Sequence, residues 1–168
     1  RTPLVVMTPK SLLRHPLAVS SVDDHVSDRF HHALDDPAMK EPASVKRVIF
    51  CSGKVYYDLV AHREKAGVED TALVRLEQLY PFRTERIREI LNRYPNADEH
   101  LWVQEEPKNM GAWLRIDAVF RHEFDLPLHY VGRDPSATPA VASTKMHAQE
   151  QERIMAVSYT HLRAHETP

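Results

Sequence analysis

One cysteine, four glycines and no long apolar run set the first limits on this 168-residue chain. With Cys51 alone, no disulfide can close within the chain and no cysteine-based zinc site can be built from it, so a reducing compartment is expected. No apolar stretch approaches the roughly 20 residues that span a bilayer. The opening "RTPLVVMTPK" lacks the long apolar region and small-residue cleavage site of a secretory signal. The glycines form neither a G-x-G-x-x-G run nor a Walker pattern. A net charge of -2 gives no general pull toward nucleic acid or anionic membranes, and neither is expected as a partner.

What is present reads as one domain. A length of 168 residues suffices for a single core, and 42% hydrophobic with 27% charged residues is the balance of a soluble globular protein. The chain opens on Arg1 rather than methionine, so a piece of a longer polypeptide is expected. Its eleven histidines are scattered and none forms an H-E-x-x-H pattern, so no metal site is expected.

Short apolar runs alternate with segments of helical period. Leu4–Met7, Val48–Cys51, Ala72–Leu76, Leu101–Gln104 and Leu128–Val131 read as strands, and several are nearly continuous in apolar residues, as in strands covered on both faces. Between them, Val55–Ala66 reads as a helix that stops at Gly67. The segment Thr84–Tyr94 sets Ile87, Ile90, Leu91 and Tyr94 on one face with Pro95 just beyond, and Gly111–Phe124 carries Ala112, Ile116, Val119 and Phe120 on a stripe. The stretch Ser21–Pro42 reads as a polar helix trailing into a loop, and Ser143–Met155 as a further helix. This alternation predicts an α/β fold of three layers, with a mainly parallel sheet between helices. Val157–Pro168 shows no apolar period and looks like translated sequencing adapter, so the domain is expected over 1–156 with a non-native or disordered tail over 157–168.

Four motifs invite a chemical reading. In "CSGKVYYDL", Ser52, Gly53 and Lys54 stand between a strand and a helix, where free N–H groups and a cation can meet an anion, although a plain turn with a solvated lysine explains them too. In "RLEQLYPFRTERIRE", Gln78 lies in a loop, and Arg83, Arg86 and Arg88 lie at a helix start, where Glu77, Glu85 and Glu89 are available to neutralise them. In "PKSLLRHP", Lys10 and Arg14 flank a leucine pair and suit either a partner domain or solvent. In "WVQEEPKNMGAW", neighbouring carboxylates Glu105 and Glu106 point to opposite faces of a strand and cannot share a proton unless the chain turns, so they read as acceptors that hold a loop or an adjoining domain.

Six segments in order, "TPKSLLRHPLAVSS", "SGKVYYDL", "VRLEQLYPF", "WVQEEPKNMGAW", "GRDPSATPA" and "KMHAQEQ", make the chain resemble one family. It resembles the carboxy-terminal domain of the thiamine-diphosphate-dependent decarboxylating component of 2-oxoglutarate dehydrogenase, a transketolase-like domain. The resemblance implies a parent enzyme that decarboxylates 2-oxoglutarate on thiamine diphosphate and Mg²⁺ and passes the succinyl group to a lipoyl arm in the tricarboxylic acid cycle. The family's Gly-Asp-Gly cofactor run, its downstream asparagine and its activating glutamate are absent here. The resemblance therefore implies that both cofactors bind outside this chain, which is inactive alone and has no catalytic residue of its own. Implied partners are the upstream domains, a homodimer mate and the dihydrolipoyl succinyltransferase component, in a bacterial cytoplasm or a mitochondrial matrix.

The resemblance also implies a regulatory site, because actinobacterial relatives bind acetyl-CoA at this domain. Matched by motif, the contacts fall on Arg29, Gln78 and Arg86, while His32 and Glu85 stand where the pattern has serine and arginine. A carboxylate facing a CoA phosphate repels it. An acetyl-CoA or AMP effector is the expectation from resemblance. The alternative is an independent α/β module for a nucleotide or CoA-like anion centred on Ser52, Gly53, Lys54 and Arg86.

Overall fold

The computed structural model describes residues 2–6, 8–26 and 30–160. The chain divides into two compact units, Arg1–Phe30 and His31–Pro168. In the first, a short 3-10 helix spans Lys10–Arg14 and a five-residue helix α1 spans Val22–Val26. The strand expected at Leu4–Met7 is not formed at Leu4–Val6, and Met7 lies outside the described residues. Apolar, β-branched residues favour a strand only when a neighbour supplies the ladder, and the described residues of this unit include no strand.

The second unit is built on a five-stranded sheet: β1 (Ala33–Leu34), β2 (Arg47–Cys51), β3 (Thr71–Leu76), β4 (Glu99–Pro107) and β5 (His129–Arg133). Their spatial order is β1-β3-β2-β4-β5, and all neighbours are parallel except β1, which runs antiparallel to β3. The expected helix over Ser21–Pro42 is therefore limited, among the described residues, to α1, and its later part contains an edge strand. Connecting helices are α2 (Val55–Ala66), α3 (Thr84–Arg93), α4 (Trp113–Phe124) and α5 (Thr144–Tyr159).

Alternation along β2, β3 and β4 divides the core between two faces. Val48, Phe50, Val74 and Trp102 pack with Ile87, Ile90, Ile116 and Phe120 from α3 and α4. Ile49, Cys51, Leu73, Leu101 and Val103 pack with Leu59 from α2 and with Ile154 and Met155 from α5. Three layers result, as the alternating pattern predicted. No helix of the described residues is long and apolar enough to cross a membrane.

Helix α5 runs further than expected. Ser143 caps its start, accepting from the Met146 N–H, and the helix continues to Tyr159 with Ser158 buried. The Tyr159 hydroxyl donates to Leu59 O at 2.8 Å. A boundary at 156/157 thus falls inside a helix, because a single tyrosine and a small serine can seal a helix face without an apolar repeat. Residues 161–168 lie outside the described region.

A half-buried histidine and a buried cysteine make the stability of this core depend on pH. Burial holds His100 below the ordinary imidazole value of 6.5, so the unfolded chain takes up that proton first and stability is lost as pH falls below about 6.5. Burial pushes the Cys51 thiol from 9.0 up to about 12, so the unfolded chain releases that proton first and stability is lost as pH rises from about 9. Thermal midpoints measured against pH should show a plateau between these limits. Cys51→Ala should delay the alkaline decline to about pH 10, where tyrosines begin to ionise; an unchanged alkaline limb would refute the assignment.

Candidate functional site

In an open parallel sheet, ligands bind beyond the carboxyl ends of the strands, at the point where the strand order reverses. Here β2 connects to β3 on one side and β3 crosses back to β4 on the other, so that point lies between the ends of β2 and β4. Ser52, Gly53 and Lys54 leave β2 there, beside Gln104, Glu105 and Glu106 in the last part of β4.

The chain fills this crevice with its own charges. Lys54 Nζ lies 2.6 Å from Glu105 Oε1 and 3.2 Å from Asp58 Oδ2, while Gln151 Nε2 donates to the same Asp58 oxygen at 3.0 Å. One lysine thus joins β4 to α2, and α5 is tied in through Asp58. Burial alone would lower the Lys54 pKa, but the hydrogen bonds and charges of Glu105 and Asp58 outweigh it and raise it. Gly53 adopts φ 74°, the left-handed turn that glycine allows, and a Cβ there would meet nothing within 4 Å. It makes the turn and does not clear space for a ligand's close approach.

Glu105 and Glu106 part company as their strand positions predict. Glu105 faces Lys54, whereas Glu106 is exposed and its carbonyl accepts from Tyr130 Oη at 3.1 Å. Strand β4 does not end at Gln104 but continues to Pro107, with a register irregularity between Val103 and Pro107. Proline fits because β2 has already ended there and leaves no ladder partner on that side.

The residue that organises this loop is one that motif reading passed over. Gln104 Oε1 accepts from Trp102 Nε1 at 2.8 Å and from the Trp113 N–H at 3.1 Å, while its Nε2 donates to Met110 O at 2.8 Å. A single amide ties strand, turn and helix start together at a buried point. Gly111 follows at φ 68°, and a Cβ there would lie 2.9 Å from Gln104 Nε2. The available signal was a lone amide ending the apolar run "LWVQ" between two tryptophans.

The other expected site residues do not converge with these. Arg86 lies in the first turn of α3, on the sheet face opposite α2, and pairs with Glu89 at 2.9 Å. Gln78 accepts from His32 Nδ1 at 2.8 Å and donates to Pro81 O at 2.7 Å, which brings together two of the positions matched by motif. Arg29 lies outside the described residues, and Lys10 and Arg14 are exposed in the first unit. Near the end of β3, Arg75 pairs with Glu77 at 2.5 Å and stacks over the Tyr56 ring at 4.7 Å. The loop after β5 borders a cavity of about 580 Å³ in which Arg133 pairs with Glu150 at 2.9 Å and Arg153 meets Asp134 at 3.4 Å.

Thiamine diphosphate and Mg²⁺ do not fit these residues. At the carboxyl edge Glu105 answers to Lys54 and Glu77 to Arg75 while Glu106 faces solvent, and among the described residues no three His, Cys, Asp or Glu side chains converge to hold a metal.

Comparison with known proteins agrees with the geometry. A family model described as "2-oxoglutarate dehydrogenase C-terminal" matches residues 19–159. The 2-oxoglutarate dehydrogenase E1 component of Azotobacter vinelandii is 44% identical over 165 residues, covering 95% of this chain and 18% of that protein. Its counterpart in Cupriavidus necator is 43% identical over 165 residues, covering 97% and 17%. The chain thus spans less than a fifth of the length of these relatives. Among solved structures, a split-gene transketolase described as an inactive β4 tetramer matches with a TM-score of 0.55 at 16% identity, over 77% of this chain and 41% of that one. That likeness concerns the fold, and it is the transketolase-like one expected.

Proposed function

The chain belongs to the 2-oxoglutarate dehydrogenase C-terminal family, and from that premise we propose that it is the non-catalytic assembly domain of an E1 component. The whole enzyme decarboxylates 2-oxoglutarate oxidatively on thiamine diphosphate and Mg²⁺ bound by its other domains, then passes the succinyl group to the lipoyl arm of the dihydrolipoyl succinyltransferase component. The observation that carries this reading is the closed crevice. Where an α/β domain of this topology would hold a ligand, Lys54 pairs with Glu105 and Asp58, and Gln151 donates to Asp58.

Assembly follows from the same geometry. A charge network that spans β4, α2 and α5 makes the carboxyl edge rigid, and rigidity there presents Glu106 and the loop that follows as a fixed surface to the other domains or to a homodimer mate. Effector binding by acetyl-CoA or AMP belongs to this proposal through Gln78 and Arg86. The contact between His32 and Gln78 supports it, whereas Glu85 opposes a phosphate.

The test is catalytic. The isolated chain, supplied with thiamine diphosphate, Mg²⁺ and 2-oxoglutarate, should reduce no artificial electron acceptor above the rate without protein. Turnover that depends on 2-oxoglutarate would place the chemistry in this chain and end the proposal.

A further inference from the structure

The carboxyl edge of the sheet has a second opening, beyond the ends of β4 and β5. The cavity of about 580 Å³ there is within the roughly 300–1,000 Å³ of small-molecule sites, at the edge where open parallel sheets hold ligands. Its rim is fixed by backbone contacts. Asn109 Nδ2 donates to Ser136 O at 2.9 Å, Asn109 Oδ1 accepts from the Ser136 N–H at 3.0 Å, and the Lys108 N–H donates to Arg133 O at 3.0 Å. The turn after β4 and the loop after β5 are thereby locked together.

The polar groups that line this space keep bonding capacity in reserve. The Arg133 side chain is only 10% exposed, its Nη2 donates to His147 Nδ1 at 2.8 Å, and its Nε lies 2.9 Å from Glu150 Oε2 without a hydrogen bond completed at either atom. Arg133 Nη1 and Glu150 Oε1 make no hydrogen bond among the described residues. Buried polar groups are ordinarily satisfied, so a guanidinium held this way points to a further partner. The crevice between β2 and β4 differs, because two carboxylates meet Lys54 there.

Charge and surface define the class of that partner. Arg133 and Arg153 stand against Glu150 and Asp134, so the side chains of the wall balance and select no net charge. Helix α5 starts at the cavity with no acidic residue in its first turn, which leaves its N-terminal N–H groups to favour a carboxylate. Pro107, Val141, Met146 and Ile154 add an apolar wall. A ligand with one charge of each sign and an apolar body matches all three features.

We propose that this cavity binds a free α-amino acid with an apolar side chain. Its carboxylate takes Arg133 Nη1 and the start of α5, its ammonium group takes Glu150 Oε1, and its side chain lies on Val141, Met146 and Ile154. Helix α5 packs on the sheet face opposite α3, so this site is separate from Arg86. It does not depend on the assembly reading, and either can fail alone.

Calorimetric titration of the chain with L-leucine, L-methionine and L-phenylalanine tests the site, beside isocaproate and isoamylamine, which each carry one half of the leucine zwitterion. At least one amino acid should bind, and leucine at least about ten-fold more tightly than either half molecule, as a second charged hydrogen bond requires. Glu150→Gln should weaken the amino acid by about ten-fold or more and leave isocaproate unchanged. Ala142→Trp, an exposed position on the cavity wall, should abolish binding without moving the thermal midpoint, and it serves as the test even where the Glu150 variant does not fold. No binding of any of the three amino acids overturns the proposal. So does isocaproate binding as tightly as leucine, which would leave a plain anion site, and so does full binding in Ala142→Trp, which would place the ligand elsewhere.

Discussion

Asp36→Ala should cost about 3–5 kcal/mol, the usual penalty for leaving one partner of a buried ion pair without the other. Asp36 is 1% and Arg63 6% exposed. The Asp36 carboxylate takes both terminal nitrogens of Arg63 and also accepts from the Leu73 N–H at 2.7 Å. That last contact explains the position. Edge strand β1 pairs with β3 only at Leu76 and Arg75, so the backbone of β3 needs another acceptor further along, and the Asp36 side chain provides it. Burial alone would lower the Arg63 pKa, but the hydrogen bond and charge of Asp36 raise it, so alanine would strand a guanidinium held only by Thr71 O. The thermal midpoint should fall by roughly 6–20 °C for a chain of this size. Replacing both residues, Asp36→Leu with Arg63→Met, should recover much of the loss, because the stranded charge is then gone. A midpoint within about 2 °C of the parent for Asp36→Ala would refute the assignment, since that corresponds to at most about 1 kcal/mol.

This pair also illustrates what the sequence hid. Strands β2 to β5 were legible because each is a short apolar run between helical periods, and the observed bounds differ by only a few residues from those expected. A two-residue edge strand such as β1 has no period, so "HHALDD" read as the continuation of a helix. Leu4–Met7 failed in the opposite way, since its composition is that of a strand but composition cannot show whether a partner is present. The end of α5 was lost because Ser158 and Tyr159 contribute through one buried hydroxyl and one stacked ring rather than through an apolar stripe.

The candidate site was legible in its residues and not in its pairings. Ser52, Gly53 and Lys54 stand at the turn expected of them, but an anion site needs a free cation, and nothing local in the sequence reveals that Glu105 closes on Lys54. Glu105 and Glu106 were read correctly as diverging, because strand alternation is geometric and holds wherever the strand does. Family membership came from ordered motifs instead.

Gln104→Leu should cost about 3 kcal/mol or more, from groups of which each costs roughly 1–3 kcal/mol when buried without a partner. Leucine has similar bulk but leaves the Trp102 indole N–H, the Trp113 backbone N–H and the Met110 carbonyl without the amide that joins them. Trp102 is 1% and Gln104 3% exposed, so water cannot readily replace what is lost. Gln104→Glu separates the two halves of the argument. A carboxylate can still accept from both tryptophans, but it cannot donate to Met110 O, and it sets a negative charge beside the carbonyls of Glu106 and Pro107. The glutamate variant should therefore recover part of the leucine loss at acid pH, where a protonated carboxyl can both donate and accept, and little of it at neutral pH. Chemical unfolding of the parent and both variants at two pH values checks this. Equal stabilities for the leucine variant and the parent would mean that Gln104 fills space without organising the turn; a glutamate variant insensitive to pH would mean that its donor half carries no weight.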